Sequence, residues 1–511
     1  MIKTGRMMFN SPGSDDGRER WSRYPALMER LPVALMVLSA LGILVFTVLK
    51  AYKCSFTHDE SVTWSRYVHL PFSDLLSHKE SFTNNHMLNS ILMKWSEAAF
   101  GSSELALRLP NLLALVIYLI YGALLVRPFG PVLGTLSYVC LCYGANIMEL
   151  FGLARGYGLS YGFMMMAQYH AWRSLVTGRP LHMVLMHAGL VLAVLSSFVV
   201  LQYAAALVVV LPLVALMAPP VSGEGGRSFL RAMKAHAVLV PLSVLAVWEP
   251  LRRVSIGNKF DFGGGHGFFE DTFTSLTYSA FPAISITSTD ALWIWYVFLS
   301  ASVLVIGYFT FERSRKRPQA EWPGHLPSML AWGALLGTML VIVVQHAVLG
   351  TQYPVARFGK FLFPLAVLAT GALASGAARY RLFWPTAALM AWAAFASVRT
   401  FCLRTTFTTS NEWQYDMDTK AIMRVIRHDL LGQGTETAPV TLGHPWLLGP
   451  TIGYYKATWA MHRLQPGQFG EGSSCNEDYW VMADSMLAGF DSSLYHNAGH
   501  FENASLWLYR K

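Results

Sequence analysis

Charge is scarce in this chain. Only 14% of its 511 residues are Asp, Glu, Lys or Arg, while 53% are hydrophobic, a balance that excludes an ordinary soluble globule. Cysteine is scarce too. Cys54, Cys140, Cys142, Cys402 and Cys475 form neither a disulfide framework nor a metal-ligand spacing, and Cys140 and Cys142 read as packing residues in an apolar run. No basic patch with interleaved aromatics accompanies the net charge of +9. The cations stand instead at the ends of apolar runs, which argues against nucleic acid as a partner. No internal repeat is evident, which weakens an inverted-repeat transporter reading. The segment Gly263-Gly264-Gly265-His266-Gly267 has no strand before it and is not a nucleotide fingerprint.

What the chain does have is long apolar stretches over its first four-fifths. About eleven of them are long enough to read as membrane-spanning helices: 31–50, 109–126, 131–148, 157–176, 181–198, 201–218, 235–250, 290–310, 327–349, 361–377 and 384–399. The first follows a polar, Arg-rich tail and is longer than a signal-peptide core, so it is expected to stay as an anchor. An odd number of spans sets the two termini on opposite sides. Lys and Arg gather in the tail and on alternate connections, at Arg127, Arg173/Arg179, Arg227/Arg231/Lys234, Arg313–Arg317 and Arg379/Arg381, which marks those as cytoplasmic. The connections 51–108, 149–156, 251–289 and 350–360 then face outward.

The expectation is an α-helical polytopic membrane protein. Residues 1–30 form a cytoplasmic tail and 31–399 a transmembrane module, whose first outward loop, 51–108, carries surface helices. Residues 400–511 form a small outward-facing α/β domain, with strands expected at Val440-Thr441-Leu442 and Leu506–Tyr509. Multi-pass residence in a bacterial inner membrane, N-terminus in the cytoplasm and C-terminus in the periplasm, suits the few cysteines and compact loops.

The polar residues of the outward side carry the chemistry. His58-Asp59-Glu60 stands just past the first span, where desolvating a carboxylate is costly and implies a task or a partner. Asp59 suits a general base and Glu60 a supporting group or metal ligand; the competing reading is that Asp59 only caps a helix over 61–67. His86, after Asn84-Asn85, suits phosphate or a weak metal site with the acidic pair, against a purely structural histidine. Arg155, flanked by glycines, suits a lipid-linked phosphate, against a snorkelling side chain. Arg357 and Lys360 run against the orientation bias, and an anionic partner would explain them.

Together these residues resemble the GT-C superfamily of polytopic glycosyltransferases, near its family 39-like branch of protein O-mannosyltransferases and aminoarabinose transferases. The similar features are Asp59-Glu60 in the first outward loop, Asn84-Asn85-His86, the run from Phe100 to Pro110 leading into the second span, and Ala154-Arg155-Gly156-Tyr157. The resemblance covers roughly residues 30–400. It implies a GT-C-like bundle that transfers a sugar from a polyprenyl-phosphate-linked donor to an acceptor hydroxyl on the outer face. By it Asp59 matches the catalytic acidic position and Arg155 a phosphate-contacting one, with Arg357 and Lys360 in the same role; His86, where several relatives place other polar groups, and Tyr157 are read with them as donor-binding residues. Asn85 and His266 would serve the acceptor or a lid, and Asp59, Glu60 and His86 would hold a divalent metal ion if one is used. The partners implied are the lipid donor, membrane lipids and a glycan, lipid or protein acceptor. A lipid-linked glycan polymerase or ligase, and a lipid or sugar transporter, are the alternatives.

Overall fold

The computed structural model describes residues 25–79, 84–217, 224–256, 263–280, 325–378, 382–433, 438–468, 477–489 and 492–511, with Trp293, Val297 and Ser300 between them. Apart from those three residues the expected span at 290–310 lies outside the described residues, as do the basic markers Arg313–Arg317 and Arg379/Arg381 and the tail before Pro25.

Every other expected span lies on a helix. These are α1 (Pro25–Lys53), then, past the first loop with α2 (His58–Thr63), α3 (Phe72–Leu76) and α4 (Met87–Phe100), α5 (Glu104–Val126), α6 (Pro131–Tyr143), α7 (Ile147–Phe151), α8 (Gly156–Thr177), α9 (Pro180–Ser196), α10 (Leu201–Met217) and α11 (Glu224–Ile256). Helices Leu326–Leu349, Leu362–Ala377 and Phe383–Arg404 complete the bundle. Six helical stretches among the described residues are long and apolar enough to cross a membrane: Arg30–Lys53, Glu104–Phe129, Phe198–Met217, Phe229–Ser255, Leu326–Leu349 and Phe383–Arg404. On α1, Val33, Leu38, Leu41 and Val45 remain exposed, the face an apolar span turns to lipid tails. The chain is a multi-pass membrane protein.

One expected span divides. The stretch 131–148 ends as a helix at Tyr143, turns through Gly144–Asn146 with Asn146 in the left-handed region, and restarts as α7. Gly144 is where the Phe363 ring packs, and a Cβ there would lie 2.1 Å from Phe363 Cζ. The break turns α7 so that Glu149 is buried inside the bundle.

The first loop starts its helix earlier than expected. Thr57 caps α2, and Glu60 returns the bond to the Thr57 N–H, a capping box that satisfies two donors at once. Asp59 is therefore not the cap. Helix α4 buries Asn89, Ser90 and Ser96 together with Met87, Ile91 and Met93, and leaves Trp95 exposed. Polar bonds decide that face: Asn89 donates to the Ala154 carbonyl at 2.9 Å and accepts from Asn111 at 2.8 Å.

Beyond Arg404 lies a five-stranded sheet in the order β2-β1-β3-β5-β4, with β1 Val440–His444, β2 Leu464–Gln468, β3 Tyr479–Ala483, β4 His496–Phe501 and β5 Leu506–Arg510. Strands β2, β1 and β3 are parallel, and β5 and β4 continue antiparallel. Both expected strands are present. The helices Thr419–Gly432 and Gly449–Thr458 pack with it, and its apolar core runs on into the first loop: Ile422, Leu442, Tyr455 and Leu508 share a cluster with Phe56, Val68, Met93, Leu107 and Ala154. That shared core fixes the first loop to the sheet region, and the polar residues gather along the seam.

Candidate active site

Four segments distant in sequence meet at Asp59: the start of α2, the entry to α8, the turn Ala356–Phe358 and the stretch 405–418. Asp59 Oδ2 lies 3.4 Å from Arg155 Nη2 and 3.6 Å from Arg357 Nη2. It is part-buried, and its Oδ2 has no hydrogen-bond partner. Burial pushes the Asp59 carboxyl up, but Arg155, Arg357 and a Trp413 hydrogen bond outweigh it and hold the group below the usual carboxylate range. The site thus keeps Asp59 ionised between two cations that do not fully satisfy it.

Arg155 caps nothing with its side chain; it stands at the N-cap position of α8, 2% exposed. Its Nη1 donates at 3.3 Å to the Asp59 carbonyl, Thr63 Oγ1 and the Asn84 carbonyl, and Nε has no partner. The guanidinium is thus held by long bonds, with one donor unused. Arg357 projects from its turn over the Trp413 and Phe358 rings, 4.8 and 5.2 Å from their centroids, and its Nε too is unpartnered. Tyr157 fills the space between them, its ring against Arg155, His86 and Phe358.

His86 is the N-cap residue of α4 and lies over Tyr157, ring centroids 5.0 Å apart. Its ring hydrogen-bonds the Ser196 carbonyl, while Nε2 has no partner. Burial, then Arg155 and Arg357, push its pKa well below the ordinary histidine value, so the imidazole is neutral. Gly156 makes this closeness attainable: a Cβ there would sit 1.7 Å from the Ser196 oxygen and 2.8 Å from His86 Cβ.

Two expected roles change. Glu60 is fully buried and takes a fork from Arg108, Nε to Oε1 at 2.8 Å and Nη2 to Oε2 at 2.7 Å, plus the Ala154 and Thr57 N–H groups at 2.5 and 2.9 Å. Protein donors fill its acceptor positions, so Glu60 holds α2 to the Arg155 turn instead of facing substrate or metal. Lys360 spends its charge on Glu412, Nζ to Oε1 2.9 Å, and is buried. Nor do Asp59, Glu60 and His86 form a ligand set: among the described residues no three His, Cys, Asp or Glu side chains converge on a point where a metal ion would sit.

Asn85 accepts from Ser90 at 3.0 Å, steadying the start of α4. His266 is exposed and pairs with Asp271 at 3.4 Å. It stands on a segment joined to the stretch before Arg357 through the Gly264–Tyr353 bridge.

Sequence reasoning missed Glu412, Trp413, Arg108 and Asp416. Asp416 accepts from the His58 N–H, opening α2, and from Thr451 Oγ1 at 3.0 Å; burial pushes its carboxyl well up. Arg108 had a signal, a lone cation inside an apolar run, though 48 positions from Glu60. Glu412 and Trp413 had none, because they follow the last span in a stretch without periodicity.

No family model and no curated protein matches this chain. Among solved structures it is similar over 93% of its length to ArnT from Cupriavidus metallidurans in two crystal structures, at 14% identity and with 97% of that chain covered in both. One is bound to undecaprenyl phosphate, with a TM-score of 0.42, and the other is in the apo state, with a TM-score of 0.43.

Proposed function

We propose that this protein is a membrane glycosyltransferase that moves a sugar from a polyprenyl-phosphate-linked donor to an acceptor hydroxyl on the outer face of a bacterial inner membrane. The observation that carries the reading is Asp59 held ionised and unsatisfied between Arg155 and Arg357, in a loop just past the end of the first span. The Lys and Arg asymmetry of the connections supports an outward-facing site.

Chemically, the two guanidiniums neutralise the donor phosphate and the charge that builds on it as the bond to the anomeric carbon breaks. Once the phosphate occupies them, Asp59 loses part of its stabilisation and becomes a stronger base. It then takes the acceptor proton as the hydroxyl oxygen attacks the anomeric carbon from the opposite face, with inversion. The base is weak in the empty site and is strengthened by the donor. His86, neutral with Nε2 free, suits accepting a hydrogen bond from the donor sugar better than pairing with the phosphate. Glu60 and Lys360 act through Arg108 and Glu412, as positioning groups.

Transfer of a labelled sugar in vesicles containing the purified protein tests this. Asp59→Asn should lower transfer by at least about a hundredfold while leaving the melting temperature near that of the unaltered protein; near-normal turnover would rule out the base assignment. Mass spectrometry of envelope glycans and lipids, with and without the protein, identifies the sugar and its destination.

A further inference from the structure

Glu412 is the second carboxylate of the cluster, and nothing in the base chemistry above needs it. Its Oε1 lies 2.9 Å from Lys360 Nζ and its Oε2 4.0 Å from Arg357 Nη1. Arg357 is thus strung between two carboxylates, at 3.6 Å from Asp59 and 4.0 Å from Glu412, with its Nε unpartnered. The other ion pairs nearby are closed on themselves: Lys50 with Glu149 at 3.2 Å, Arg108 with Glu60 at 2.7 Å and Lys420 with Glu104 at 2.8 Å. Each is neutral as a pair. The open set is Arg155, Arg357 and Lys360 against Asp59 and Glu412, one positive charge in excess, with the nearby Asp416 counted as neutral because burial pushes its carboxyl well up.

That excess equals the charge of one phosphodiester. A donor with a single phosphate between lipid and sugar carries one negative charge, and the loaded site is neutral. In the transfer the acceptor O–H bond breaks and its proton goes to Asp59. The acceptor oxygen bonds to the anomeric carbon, and the old C–O bond breaks with its electron pair on the phosphate oxygen. The phosphate is then a dianion, Asp59 is neutral, and the site holds two positive charges. It balances again. A diphosphate donor starts with two negative charges and leaves with three, one too many at each stage.

We infer that Glu412 is a specificity-determining residue, whose charge tunes the cation cluster to a single-phosphate leaving group and against a diphosphate. This rests on the glycosyltransferase reading above and goes beyond it. One elementary charge about 7 Å from a phosphate, at an effective dielectric of about 20, is worth well over tenfold in binding, and solvent screening at a half-buried site brings this to about tenfold.

The test measures binding of polyprenyl methyl phosphate and polyprenyl methyl diphosphate of equal chain length, diesters with one and two negative charges like the two donor classes, to the full-length protein in lipid nanodiscs. The unaltered protein should favour the monophosphate. Glu412→Gln, whose amide oxygen still accepts from Lys360, should shift the ratio about tenfold toward the diphosphate, and Glu412→Asp should keep it. Lys360→Gln moves the charge balance the other way and should disfavour the diphosphate further, a second reading should Glu412→Gln fail to fold. An unchanged ratio in folded Glu412→Gln, or an equal shift in Glu412→Asp, overturns the assignment. Binding of neither lipid by the unaltered protein overturns the donor reading itself, a separate outcome.

Discussion

Replacing Arg108 by Met should be among the most damaging changes in the chain, although Arg108 touches no expected substrate position. All five of its N–H donors are used: two on Glu60, and the rest on the Ala51, Cys54 and Ser55 carbonyls at 2.8, 3.0 and 2.7 Å. Both partners are fully buried. Met fills much of the volume but leaves the Glu60 carboxylate without its counter-ion and three carbonyls without donors. Breaking a buried pair from one side costs about 3–5 kcal/mol, and part of each carbonyl's loss is recovered by relaxation. About 4 kcal/mol is the expected single-variant cost, read as the midpoint shift in denaturant unfolding in mixed micelles. Glu60→Met should cost a similar amount by orphaning the guanidinium. The double variant removes both charges, so it should fall short of the summed singles by about 1–3 kcal/mol, the coupling of the pair. Transfer activity should fall in the singles even where folded protein remains, because Glu60 holds the Ala154 N–H beside Arg155. Singles within about 1 kcal/mol of the unaltered protein, or singles that add in the double variant, would refute the account of this network.

Gly156→Ala should be nearly as harmful by a different route. Its Cβ would meet the Ser196 carbonyl and His86, and overpacking of about 1–3 kcal/mol would displace α8 and Arg155; a melting curve and transfer rate at wild-type levels would count against that close approach. His86 should give the protein an acid sensitivity. Its folded pKa lies well below the ordinary value of 6.5, so its stabilising contribution is complete above pH 6.5 and is lost as pH falls below it, where the unfolded chain takes up the proton first. Between pH 6.5 and 5.5 the loss should be about 1 kcal/mol, and His86→Gln should flatten the unfolding midpoint over that interval; an unchanged slope in the variant would remove the neutral-histidine assignment.

The helical frame was legible because apolar length is a local property of the chain. Runs such as 327–349 need no partner to be read, and each expected span within the described residues proved helical. Where the reading slipped, a contact across the fold decided. The span at 131–148 broke because Phe363, more than two hundred residues on, occupies the place of a Gly144 side chain. Helix α4 turned Asn89 inward because Asn111 and the Ala154 carbonyl awaited it, and a hydrophobic-stripe argument counts that residue as polar surface. In the candidate site, Asp59, Arg155 and Arg357 were each visible as charges out of place near span ends. Glu60 was visible for the same reason, but sequence cannot tell a charge that is free for a ligand from one already matched. Its match, Arg108, is 48 positions away.

That distinction also separates frame from candidate site among the charges of this region. Arg108 with Glu60, Lys50 with Glu149, and Lys420 with Glu104 are close pairs, with carbonyls, amides or the Tyr455 hydroxyl taking further bonds. Such pairs cost desolvation and return it only when nearly every donor and acceptor is matched, and these three join α1, α2, α5, α7 and the sheet region into one rigid mount. Asp59, Arg155 and Arg357 carry the same kinds of atoms, Arg155 buried and the other two part-buried, yet their separations run from 3.4 to 3.6 Å and each leaves a polar atom unmatched. A fold able to satisfy three charged pairs so completely has no structural need for a fourth, looser cluster in its midst. Its under-satisfaction is a stability cost carried by the mount around it, and an anionic ligand supplying acceptor oxygens to both guanidiniums would relieve that cost on binding.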